Sequence, residues 1–176
     1  SRYVSSDFAS NVEFFDRHFV LQEDGAFRNE PNSFDATTTA GLWIGQNVHL
    51  TDEVKHRVAI FNQLVSDYGK SWQNRFTNTY ALGPENFATV FWPGIPDFVS
   101  RLGADFDIRS EEYFNISIPE NNPERDTVWT GLYRDQQADI WMVSVETPLY
   151  VEDSHVATIG NDIVLDELIT RTMASE

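Results

Sequence analysis

Apolar positions along this chain change period near its middle. Phe8, Val12, Phe15 and Phe19 fall at helical spacing and stop before the turn signal Glu23-Asp24-Gly25, which predicts a first helix. Residues 26–50 are rich in Asn, Thr and Gly, with Leu42-Trp43-Ile44 as the one strong apolar anchor, so a mostly irregular connection is expected. Thr51 ahead of Asp52 and Glu53 is a helix start, because a hydroxyl caps free amides and carboxylates suit the positive end of the dipole. Val54, Val58, Phe61, Val65, Tyr68 and Trp72 then recur at alternating steps of four and three. They draw one apolar stripe along a long helix, read as packing surface.

After Phe76 the runs become short, aromatic and β-branched. Residues 77–82 and 86–92, divided by Gly83-Pro84-Glu85, predict a hairpin. A short helix is expected over 96–102 and another from Ser110, whose hydroxyl precedes Glu111 and Glu112. Residues 119–126 read as a polar loop. Strands are expected at 127–133, 140–147 and 155–161, and Ile163, Leu165, Leu168, Ile169 and Met173 predict an exit helix. The layout is α+β: about five antiparallel strands flanked by helices, in a single domain with a helical region at 1–76 and a sheet-containing core at 77–176. It lacks βαβ alternation and a glycine-rich phosphate loop.

Charge narrows the partners. Twelve Lys and Arg stand against 28 Asp and Glu, a net charge of -16 that repels phosphate backbones, so nucleic acid is not expected. The absence of cysteine removes disulfides and thiol chemistry. No apolar run is long enough to span a bilayer. The chain begins at Ser1 with no initiator methionine, as expected of a piece of a longer, membrane-anchored chain.

The residues point away from catalysis. His18, His49, His56 and His155 sit in no nucleophile motif, and the acidic turn Glu152-Asp153-Ser154 before His155 reads as solvated rather than metal-binding, so no cofactor is expected. More informative is the run from Trp129 to Asp135. With a period of two, Trp129, Gly131, Tyr133 and Asp135 share a face, giving two aromatics, a gap and a carboxylate. Val156, Thr158, Gly160 and Asp162 repeat a small residue before an acid. Rings around carboxylates suit a cationic ligand through cation–π attraction and charge-assisted hydrogen bonds. The alternative is that the rings are sheet core and the acids cap turns or helix starts.

The segments Asp107-Ile108-Arg109, Glu112-Tyr113-Phe114, Trp129 to Asp135, Trp141 to Pro148 and Ile159 to Ile163, in this order and spacing, resemble the Cache sensor domains, specifically the membrane-distal module of double Cache receptors. The resemblance covers roughly residue 77 to the C-terminus. It implies a PAS-like fold outside the cytoplasmic membrane, in the periplasm, that binds a small metabolite and signals to a diguanylate cyclase, histidine kinase or chemoreceptor output. In amino-acid-binding members of that family an arginine two residues before an aromatic pair grips the ligand carboxylate, while a tyrosine and two aspartates hold its ammonium. Here the aromatic pair is Tyr113-Phe114, the tyrosine is Tyr133, and the aspartates are Asp135 and Asp162; the arginine position holds Glu111. Arg109 is near enough in sequence to substitute.

The expectation is therefore an extracytoplasmic, non-enzymatic sensor domain for an amine or other cationic, amino-acid-like metabolite. Arg109, Glu111, Tyr113, Phe114, Trp129, Tyr133, Asp135 and Asp162 are its candidate binding residues. The first alternative is a module that binds nothing and transmits signal, or forms a homodimer, through its N-terminal helices; an enzyme comes third.

Overall fold

The computed structural model describes residues 8–173. Helix α1 (Phe8–His18) leads into strands β1 (Phe19–Leu21), β2 (Phe27–Asn29) and β3 (Gly41–Ile44). Helix α2 (Asp52–Trp72) precedes the hairpin β4 (Asn78–Gly83) and β5 (Phe87–Phe91). Helix α3 (Phe98–Arg101), a 3-10 turn (Ile108–Ser110) and helix α4 (Glu112–Asn115) follow. Then come β6 (Val128–Trp129), β7 (Tyr133–Asp135), β8 (Ile140–Val151), β9 (Ser154–Val164) and α5 (Leu165–Met173).

The α+β class is as expected, but among the described residues the sheet has nine strands rather than about five, ordered β1-β2-β3-β5-β4-β9-β8-β6 with β7 also on β8. The extra strands come from 26–50, which is not an irregular connection. Leu42 to Ile44 pair with β5, and Phe27 and Arg28 pair with β3. Side-chain bonds hold this polar stretch in register, where its composition reads as loop. Asn29 Oδ1 accepts from Leu42 N at 2.5 Å, and Asn62 on α2 donates to Ala40 O and Thr89 Oγ1, each at 2.9 Å. The sheet thus begins before residue 77.

Both faces of β4 and β5 are covered, so every residue of the two strands is buried. On one face α1 and α2 press Phe15, Val58, Phe61 and Val65 against Leu42, Ala81, Phe87 and Phe91. Thr51 caps α2 by accepting from Val54 N, and the stripe packs as expected through Val65. Tyr68 and Trp72 line a groove with Thr79, Leu149 and Ile159 and stay 47% and 37% exposed. On the other face Trp43, Tyr80, Leu82, Val90 and Met142 meet Val99, Leu102, Ile108 and Phe114 from the 98–115 segment. Fully burying such a side chain contributes about 1.5–3 kcal/mol, so this irregular segment is held by its apolar contacts rather than by its short helices.

Two local expectations shift. Ser110 ends the 3-10 turn, and Glu111 occupies the cap position of α4. The predicted strand 127–133 is two short strands separated by residues 130–132, where Thr130 Oγ1 accepts from Ser144 N at 2.8 Å.

Candidate functional site

Three neighbouring strands bring polar side chains together beneath the 98–115 segment. Register places Asn78, Asp162 and Ser144 abreast on β4, β9 and β8, and Tyr80, Gly160 and Glu146 abreast in the next row. Gly160 is required by closeness. A Cβ there would lie 2.1 Å from Tyr80 Cε2 and 2.5 Å from Glu146 Oε2. Without it, the Tyr80 ring crosses β9, and its hydroxyl reaches Glu146 Oε1 and, at 3.1 Å, Asp162 Oδ1.

Asp162, 4% exposed, also accepts from Ser144 Oγ at 2.6 Å and from Asn78 Nδ2 at 2.6 Å. Ser144 Oγ lies 2.7 Å from the Tyr133 hydroxyl. Burial raises the Asp162 carboxyl to about 6 against these hydrogen bonds. Glu146, fully buried, is pushed well above the ordinary carboxylate range by the same desolvation. Desolvation, followed by nearby carboxylates, also pushes the Tyr80 and Tyr113 hydroxyls up.

Above this cluster lies a narrow cavity of about 30 Å³, room for roughly two water molecules. Its polar lining is Asn78, Tyr80, Tyr113, Tyr133, Asp135 and Asp162. Its apolar lining is Leu82, Ala88, Val90, Phe98, Leu102, Phe106 and Ile108. None of these residues is basic. The 98–108 wall is tied down by two side chains. Arg28 donates to Val99 O and Leu102 O, and Asn86 holds Phe106 O and Ile108 N.

Four of the eight candidate residues line the cavity: Tyr113, Tyr133, Asp135 and Asp162. Tyr113 and Tyr133 lie ring to ring at 5.9 Å, and Asp135 accepts from Ala138 N at 2.6 Å at the start of its turn. Glu111 stands beside them, its carboxyl raised by burial and then by the Asp135 charge, without lining the cavity. The other three lie elsewhere. Arg109 forms a two-point ion pair with Asp107 on the surface, at a separate groove that holds His49 and Glu85. Phe114 is core, 5.8 Å from the His155 ring. Trp129 is 57% exposed, because the break at 130–132 interrupts the alternation that was to place it beside Tyr133.

Asn78, Tyr80, Ser144 and Glu146 escaped the sequence reading. The available signal was a serine and a glutamate two apart, at 144 and 146, within the apolar run of β8.

No family model and no curated protein sequence matches the chain. Solved structures do match it in fold. The ligand-binding domain of the Pseudomonas fluorescens chemoreceptor CtaA in complex with L-valine aligns with TM-score 0.51 and 19% identity over 66% of this chain and 48% of that one. The CtaA complex with L-serine gives 0.50 and 19% over 64% and 44%. The sensory domain of the Campylobacter jejuni chemoreceptor Tlp3 with isoleucine bound gives 0.50 and 17% over 68% and 44%. The match thus spans less than half the length of each of these chains. The architecture is that of chemoreceptor sensory domains, in keeping with the Cache resemblance.

Proposed function

We propose that this chain is a single extracytoplasmic sensor domain of a membrane-anchored signalling receptor, without catalytic activity, and that its ligand is a compact amine. The observation that carries this reading is Asp162, a buried carboxylate facing a cavity with aromatic and acidic walls and no basic residue. An ammonium group finds three tyrosines and two carboxylates there, and cation–π attraction strengthens on desolvation. The solved relatives in fold hold L-valine, L-serine and isoleucine, each of which carries an ammonium group. A ligand carboxylate would have no cation to meet here, since Arg109 is committed to Asp107 outside the cavity. Glu111 adds negative charge beside the site, so amines are favoured over amino acids. The cavity's size favours few non-hydrogen atoms.

Output through a diguanylate cyclase or histidine kinase belongs to the same proposal, as does pairing of two copies through the N-terminal helices, where Tyr68 and Trp72 stand exposed. A thermal-shift screen of straight-chain primary amines, amino acids and carboxylates tests the ligand. Stabilisation by amines that grows with concentration supports the reading, because a ligand that binds only the folded state raises the melting temperature by mass action. Stabilisation by carboxylates alone overturns it.

A further inference from the structure

Counting protons in the buried cluster identifies a residue that acts on the site from behind. Four oxygen–oxygen contacts join Tyr133 to Ser144, Ser144 to Asp162, Tyr80 to Asp162 and Tyr80 to Glu146. Three hydroxyl groups bring three protons. With both carboxyls ionised, the single Tyr80 proton would have to serve Glu146 and Asp162 at once, so one carboxylate oxygen would face a bare lone pair of the Tyr80 hydroxyl. One further proton completes every contact.

Its place follows from what each carboxyl receives. Asp162 accepts from Ser144 Oγ and Asn78 Nδ2, both at 2.6 Å, which suits an anion. Glu146 meets only Tyr80, and its Oε2 is buried without a partner. The ionisable groups facing the pair are Tyr80 on β4, Tyr113 and Glu111 at α4, and Tyr133 and Asp135 on β7. None of them is a cation that would hold Glu146 ionised.

We propose that Glu146 is the neutral acid of this pair in the ligand-free protein, and that it positions Tyr80 so that the hydroxyl proton points to Asp162. Glu146 is then a positioning residue of the cation site. It fixes the direction of the Tyr80–Asp162 hydrogen bond and leaves the anionic charge on Asp162, next to the cavity. On acidification a second proton adds to Asp162. An ammonium ligand that binds there displaces this proton to solvent, so cation affinity falls as the pH drops through the Asp162 transition. This consequence, unlike the proton assignment itself, rests on the amine reading of the pocket.

Infrared spectroscopy of the ligand-free protein with isotope-labelled glutamate tests the assignment at about pH 8, above the ordinary carboxylate range. A protonated-carboxyl band that shifts with the glutamate label, persists in Asp162→Asn and is absent in Glu146→Gln is expected. No such band in the wild type, or a band that follows aspartate labelling instead, overturns it. Binding of methylamine, whose two non-hydrogen atoms match the cavity, supplies the second readout. Glu146→Gln, which keeps a neutral donor toward Tyr80, should hold the dissociation constant within about threefold, whereas Asp162→Asn should weaken it by about tenfold or more, as expected for loss of a charged hydrogen-bond partner. A tenfold loss in Glu146→Gln overturns the proposal. Failure of the wild type to bind any primary amine would defeat the amine reading and leave the proton on Glu146 to be decided by the infrared result.

Discussion

Tyr80 and Gly160 are direct cross-strand partners on β4 and β9, and the tyrosine ring occupies the space where a side chain at 160 would begin. Gly160→Ala therefore forces the ring, and with it Glu146, out of place. Overpacking of a rigid interior costs about 1–3 kcal/mol, so a lowered denaturant midpoint with an unchanged slope is expected. Amine binding should be lost along with it, because the Tyr80 hydroxyl no longer reaches Asp162.

Asp162 makes the fold and the pocket compete. Its folded-state pKa is raised from 3.8 to about 6 by burial, so the folded protein holds this proton more tightly than the unfolded chain does. Stability consequently falls as pH rises between those values, by roughly 3 kcal/mol when the transition is complete. Asp162→Asn removes the titration. The variant should melt higher than wild type at pH 7, show little gain near pH 4 and bind amines about tenfold or more less tightly; an equal melting-temperature difference at both pH values would contradict this account.

The sequence made the long helix, the hairpin and the exit helix legible, because their periodicity is repeated over several turns or bounded by Gly and Pro. Strands β1 to β3 were hidden, since what places them in the sheet is distant: Asn29 bonds across to Ala40 and Leu42, and β3 pairs with β5. The site was half legible for the same reason. Tyr133, Asp135 and Asp162 follow local patterns, whereas the Tyr80–Glu146 contact joins residues 66 apart through a glycine gap. Trp129 was misplaced because a period of two was carried across an interruption of the strand at 130–132 that only Thr130 and Ser144 reveal.

The cavity wall at 98–108 should depend on Arg28 more than its place on a peripheral strand suggests. Its side chain is only 12% exposed and forks between Asp24, Val99 O and Leu102 O. A lysine keeps the charge but not the planar fork, so it cannot hold both carbonyls and the carboxylate together. Arg28→Lys is expected to fold with a loss of about 1–2 kcal/mol and to speed amide hydrogen exchange across 98–108. Amine affinity should fall several-fold with no change in which amines are preferred, as isothermal titration across a chain-length series would show.

Trp129 and Tyr133 lie four residues apart, and their truncation should give opposite results. Trp129 is 57% exposed on β6 and has no part in the cavity, so Trp129→Ala is expected to change stability by no more than about 0.5 kcal/mol and leave amine affinity unaltered. Tyr133 lines the cavity, and its hydroxyl supplies the Ser144 contact that frees the serine proton for Asp162. Tyr133→Phe keeps the ring beside Tyr113 and removes that proton, leaving Ser144 Oγ without its donor. The cost is about 1–3 kcal/mol, visible both in the melting temperature and as weaker amine binding. Equal affinity in Tyr133→Phe, or a loss in Trp129→Ala, would move the ligand from the cavity under the 98–115 segment to the outer face of β6 and β8.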